Sequence, residues 1–314
     1  MSGLSGIAAG PTRRPAVAGS FYPADPGELA RLVDDLLSTA EPPADATAAI
    51  AAGLAGILVP HAGLVYSGPV AAVAWRLAGT SRLSPSRPGG LTARDEVPTI
   101  VLLGTNHGAA WLDGVGVWDR GAWHSPLGDL EIDEDLALAI LETGAPFVVD
   151  RDAHRTEHSL EVQLPFIHAV LPEARIVPLA VSTGSGDLAV FAGGHLGGML
   201  AERRQKGDQI LVAISTDMAH YPPASLAARI TDELSPLILG LEPGSLARQE
   251  ADLARSGRPG VVCGMCGIAP TVLGLAALRA MGIERGVQLA AATSADVGGP
   301  ADRTVGYLAA AFPG

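Results

Sequence analysis

The chain is 314 residues long and 48% hydrophobic, enough to bury a large core in one big α/β domain or two smaller ones. A formal net charge of -12 at pH 7 argues against a nucleic-acid partner held by phosphate neutralisation, since that mode needs a basic face. The N-terminal stretch "MSGLSGIAAGPTRRPAVAG" has no apolar core of signal-peptide length and no segment is an unbroken apolar span, so a cytoplasmic protein without a membrane partner is expected.

Taken in chain order, the first element is a helix. Asp25 is a plausible N-cap with Pro26 at the first helical position, and Leu29, Leu32, Val33, Leu36 and Leu37 then recur at helical spacing. "AEPPADATAAIAAG" reads as a surface connection. "LAGILVP" is a nearly continuous apolar run, as expected of a strand covered on both faces, and it delivers the chain to His61. A second connection, "SRLSPSRPGGLTARDE", separates it from the strand "TIVLLGT", which ends at Asn106 and His107. "DEDLALAILE" and "HSLEVQLPFIHAVL" are candidate helices, "ARIVPLAV" a strand, and "LAVFAGGHLGGMLAERR" a further helix. "QILVAIST" is a strand that runs into Asp217 and His220. "MCGIAPTVLGLAALRAMG" is the last candidate helix, and "VQLAAATS" a strand ending near Asp296. The alternation predicts an α/β fold: a single domain over residues 1–314, with a central, mostly parallel or mixed sheet flanked by helices.

Open α/β sheets bind ligands outside the carboxyl ends of their strands, where loops aim side chains into one crevice. His61, His107, Asp217 and His220 all follow such strands, and glycines beside His61 and His107 allow close backbone approach. Asp217 and His220 are three residues apart, so one turn can orient both inward; the alternative is an Asp that caps a helix beside an incidental His. His158 with Glu161 in "EHSLE" is compatible with an ordinary exposed helix start, and His124, His154, His168 and His195 lack comparable context.

The two cysteines, Cys263 and Cys266, form a CxxC pair, so disulfides are not the framework of the fold. The pair admits a redox dithiol, half of a zinc site, or two small buried apolar residues. Without a second CxxC or a thioredoxin-like setting, the further option is a thiolate joining His61 and His107 in a mixed site, a donor set suited to iron, copper or zinc.

The ordered landmarks "RRPAVAGSFYPADPGEL", "LVPHAGLVYSGPVAA", "VLLGTNHG", "WHSPLGDLEID", "EHSLEVQLPF", "ISTDMAHY", "VCGMCGIAP" and "YLAAAF" span almost the whole chain. With them the sequence resembles the Memo-like proteins, also called AmmeMemoRadiSam system protein B. The resemblance implies a fold like that of the class III extradiol dioxygenases and a metal site of His61, His107 and Cys263, where related dioxygenases place a carboxylate. It further implies catalytic or supporting roles for Asp217, His220 and His158, and a pocket lined by Phe21, Tyr66 and Asn106. Cys266 is a departure, since the family commonly carries histidine there. The implied cofactor is one transition metal ion, Fe(II) or copper, with zinc possible; the implied partner is a small aromatic molecule or a peptide side chain. Two readings follow: a mononuclear metal-dependent oxidoreductase, or a non-catalytic, adaptor-like protein that binds a metal or peptide in the same cleft.

Overall fold

The computed structural model describes residues 10–83, 97–144 and 146–314. In chain order the elements are β1 (Thr12–Arg13), α1 (Pro26–Thr39), α2 (Ala44–Ala49), β2 (Leu54–Val59), α3 (Leu64–Thr80), β3 (Thr99–Thr105), β4 (Gly114–Val117), β5 (Ala122–Ser125), β6 (Gly128–Glu131) and α4 (Glu134–Glu142). They continue with β7 (Phe147–Val149), α5 (Leu164–Val170), β8 (Arg175–Ser182), α6 (Gly186–Gln205), β9 (Ile210–Ser215), α7 (Ala224–Leu239), α8 (Pro243–Arg255), α9 (Ile268–Ala280), β10 (Val287–Thr293) and β11 (Gly306–Pro313).

Every residue of β2, β3 and β9 is buried, which is why these runs lack the polar alternation of a half-exposed strand. They lie in an eight-stranded sheet of order β10-β11-β2-β9-β3-β8-β4-β7. The inner strands β2, β9, β3 and β8 pair in parallel. Val59 is level with Ser215, so the segments following β2 and β9 leave the sheet side by side, and β3 ends next to them. Flanking pairs β11–β2 and β4–β8 are antiparallel, making the sheet mixed. Helices α1, α3 and α5 cover one face; α9, with α6 and α8 against it, covers the other. One main apolar core joins both layers, the arrangement of a single α/β domain.

Helix α6 lies unusually close to α9. A Cβ on Gly193 would sit 2.2 Å from the Leu273 carbonyl oxygen, and one on Gly197 2.1 Å from that of Ala277. The two glycines, four apart, share a face of α6 and let the backbones touch. No helix among the described residues is long and apolar enough to cross a membrane.

Two expectations need correction. The stretch 40–53 is not merely a surface connection: it contains α2, with Ala46 and Ile50 buried, because its alanines are small enough to pack against the domain. The helix expected from His158 begins only at Leu164, with Pro165 in its first turn, after a loop and a short 3-10 turn at Glu161–Gln163. Most of the second connection, 84–96, and the first nine residues of the N-terminal stretch lie outside the described residues.

Arg13 explains why that loop is not helical. From β1, its guanidinium donates to the carbonyls of His154 and Glu157, both at 2.7 Å, and pairs with Glu161 at 2.7 Å. Glu161 in turn accepts from the Ala16 and Val17 amides and the Tyr22 hydroxyl. Both charges are buried, and each is satisfied by several partners, which is the condition for a buried ion pair to be tolerated. The knot fixes the segment carrying Glu157 and His158 and the N-terminal segment carrying Phe21.

Candidate metal centre

The first histidine of the cleft, His61, follows β2 and is buried. Its orientation is set by a chain of hydrogen bonds that begins in α3. The Trp75 indole N–H donates to Gln163 Oε1 at 2.9 Å, which fixes the amide so that Gln163 Nε2 donates to the Pro60 carbonyl and to Ser215 Oγ. Ser215 spends its own proton on the Ser159 carbonyl at 2.7 Å. Its oxygen can therefore only accept from His61 Nδ1, 3.0 Å away, so that nitrogen carries the ring proton and Nε2 keeps its lone pair. Burial, reinforced by the neighbouring His107, pushes the ring pKa down to about 3.

His107 follows β3 and is held by Glu157. The carboxylate accepts from His107 Nδ1 at 2.8 Å and from its backbone amide at 2.7 Å, and also from the Ser159 amide at 2.8 Å. Burial raises the Glu157 pKa, but the His107 donors and the Ser159 amide outweigh it and bring it to about 2. An ionised acceptor on Nδ1 again leaves Nε2 as the free nitrogen.

His158 stacks on His107, with ring centroids 4.3 Å apart, and stands edge-on to His61 at 5.5 Å. Phe21 tilts against its other side at 4.7 Å. Burial and the two neighbouring imidazoles lower its pKa to about 4. One nitrogen from each of His61, His107 and His158 lies within 4.8 Å of the others. Such a cluster, two of whose rings have their second nitrogen committed to the protein, suits a transition metal ion.

The other expected residues occupy distinct places. Cys263 Sγ lies 3.7 Å from His220 Nδ1, outside the imidazole triplet, and burial pushes its thiol up to about 11. Cys266 Sγ lies 3.1 Å from His61 Nε2, and it too falls outside the group of three imidazoles. Asp217 uses Oδ1 to accept from the backbone amides of His61 and Ala62, so it shapes the loop behind His61, while burial raises its carboxyl pKa. His220 donates Nδ1–H to the Met218 carbonyl at 2.8 Å, leaving Nε2 as an acceptor. Asn106 folds its own loop, bonding to Gly108 and Ala109. Tyr66 is exposed in the first turn of α3, and Asp296 is committed to a capping box with Thr293.

Glu157, Ser215, Gln163 and Trp75 were not singled out from the sequence. Glu157 had one signal, its place directly before His158 in "TEHSLE"; the others carry none, because their partners are 50 to 100 residues away or more.

The comparisons agree with the landmarks. A family model described as Memo-like protein matches residues 13–311. A MEMO1 family protein of Methanopyrus kandleri is 34% identical over 96% of this chain and 98% of its own length. One from Aquifex aeolicus is 35% identical over 96% and 98%. Among solved structures, an uncharacterized protein of Escherichia coli K12 aligns over 83% of this chain and all of its own, with 17% identity and a TM-score of 0.45. The chain belongs to the Memo-like family.

Proposed function

We propose that the cleft binds one transition metal ion through His61, His107 and His158, and that the protein is a metal-dependent oxidoreductase acting on a small aromatic molecule. The observation that carries the metal reading is the meeting of three imidazole nitrogens within 4.8 Å, two of the rings having Nδ1 hydrogen-bonded to the protein. Low ring pKa values, about 3 for His61 and about 4 for His158, keep both unprotonated and ready to coordinate at neutral pH.

Bound Fe(II) or copper would supply the electron exchange with dioxygen that the side chains alone lack. The protein's residues bind and orient. Phe21 offers an aromatic face beside His158. The first turn of α3 exposes Val65 and Tyr66, and the loops after β3 and β9 and before α9 expose Trp111, Tyr221 and Val262, apolar surface fit for an aromatic ring. His220 Nε2 is the acceptor available for a phenolic proton, since its Nδ1–H is engaged by Met218. The dioxygenase-like chemistry itself comes from the family resemblance. Free thiols fit the reducing cytoplasm, and the acidic charge leaves nucleic acid outside the reading.

The exposed apolar residues also suit the second reading, in which a peptide side chain enters a non-catalytic metal cleft. Anaerobic loading with iron or copper, followed by oxygen uptake with a panel of catechols, separates the two. Turnover supports the enzyme; stoichiometric metal without turnover on any substrate supports the binding protein. His107→Ala is expected to abolish stoichiometric metal binding with the fold retained, as judged by circular dichroism, and unchanged metal content would count against the site.

A further inference from the structure

We infer that a second pocket, walled by α6, α8, α9 and the segment after β8, binds a small organic ammonium ion through Glu250. The pocket has a volume of about 330 Å³ and is lined by none of the three clustered imidazoles. Ala247, Glu250, Ala251 and Ala254 recur at helical spacing, so they form one face of α8. Three of these four side chains are single methyl groups, which is why space is left between α8 and its neighbours. Apolar residues such as Val272 of α9 close the pocket, and Thr183 stands at the end of β8. Glu250 is the one charged residue among those lining it.

Glu250 is 7% exposed and only half satisfied. Its Oε1 accepts from the Gly264 amide at 2.9 Å, while Oε2 has no hydrogen-bond partner. A Cβ on Gly264 would stand 2.2 Å from Oε2, so glycine is what lets the carboxyl come this close to the cysteine loop. The buried Thr183 Oγ1, on another wall of the same pocket, is also without a partner. Among the described residues no cation pairs with Glu250, and burial accordingly raises its carboxyl pKa to about 7. Buried polar groups left unpaired are costly, so two of them lining one apolar pocket point to a donor supplied from outside. A primary ammonium fits both: it carries the charge that Glu250 lacks opposite it, and its three N–H groups can serve the carboxylate and the Thr183 oxygen together. The short methyl-lined walls suit a small branched alkyl body, and the same carboxylate repels anions.

Isobutylamine is the probe, with isobutanol as its uncharged counterpart, each titrated into the full chain and followed by amide NMR. The amine is expected to shift the Ser185, Ala251 and Gly264 amides saturably, with affinity at least about tenfold above that of the alcohol. Glu250→Gln keeps an acceptor for the Gly264 amide and should bring amine affinity down to that of the alcohol. Ala251→Leu fills the space and should abolish the shifts, with circular dichroism confirming the fold; if that variant does not fold, the Glu250→Gln comparison decides alone. Equal affinity for amine and alcohol, amine affinity unchanged in Glu250→Gln, or shifts that never saturate would each overturn the inference. None of these outcomes bears on the metal reading, whose residues lie elsewhere.

Discussion

A neutral imidazole has one lone pair on its ring nitrogens, so the use of a histidine as a ligand depends on which nitrogen is protonated. At His61 that choice is made by Ser215, and at His107 by Glu157. Ser215→Ala removes the acceptor for both His61 Nδ1–H and Gln163 Nε2–H; metal affinity is expected to fall about 10- to 100-fold with the three imidazoles still present, measured by chelator competition. Glu157→Gln should have an effect of similar size, because an amide is a weaker acceptor for His107 Nδ1. Equal affinities in either variant and the parent would show that ring orientation is set by packing alone. Glu250 is a separate case: it accepts from the Gly264 amide at 2.9 Å within the cysteine loop, and burial raises its pKa to about 7. The folded chain therefore holds this proton between the unfolded value, 4.5, and about 7, and the stability associated with it is lost as pH rises through that window. Glu250→Gln should accordingly be more favourable at pH 8 than at pH 5, by about 2 kcal/mol in urea unfolding.

Among the elements, the buried strands β2, β3, β8 and β9 were legible because a strand covered on both faces leaves a continuous apolar run, as in "TIVLLGT" and "QILVAIST", whereas β11, equally buried, was not read as a strand. Helix α1 was legible from its cap and spacing; the structure adds the Asp25 side chain accepting from the Glu28 amide. The short strands β4 and β7 were not, since three or four residues carry too little pattern to distinguish a sheet edge from a loop. His61 and His107 could be read from their places after strands, whereas His158 stands in a loop and was implied only by the family resemblance. Spacing alone could not say which cysteine lies beside His61, because CxxC residues three apart project according to a loop conformation that depends on Asp217, Thr216 and Glu250. The contact of α6 with α9 carries its own prediction. Gly193→Ala places a methyl against the Leu273 carbonyl, and a loss of about 1–3 kcal/mol is expected from chemical denaturation. A neutral outcome would mean that the helices can separate without loss of packing.

For the whole molecule, the buried histidines set the acid limit. His61, His154 and His158 have pKa values of about 3, 4 and 4 in the folded chain against 6.5 when unfolded. As pH falls, the unfolded chain takes up protons first, so the stability these groups contribute is complete above pH 6.5 and drains away toward pH 4 and below. Glu157, at about 2 against 4.5, adds a further loss below pH 4.5. The urea midpoint should therefore be lower at pH 5 than at pH 7.5, partly offset by Glu250, whose carboxyl is favoured protonated at the lower pH. An unchanged midpoint would imply that these rings are reached by water in the native state.

The Arg13 knot has a consequence for the order of events when the protein is made. Arg13 and Glu161 are separated by 148 positions, and the segment they immobilise carries two members of the pocket chemistry, Glu157 and His158. Closing so long a loop is slow compared with forming local helices. A nascent chain can have folded strands and yet no competent cleft until its beginning has docked against its middle, so ion capture should lag behind the recovery of secondary structure during refolding.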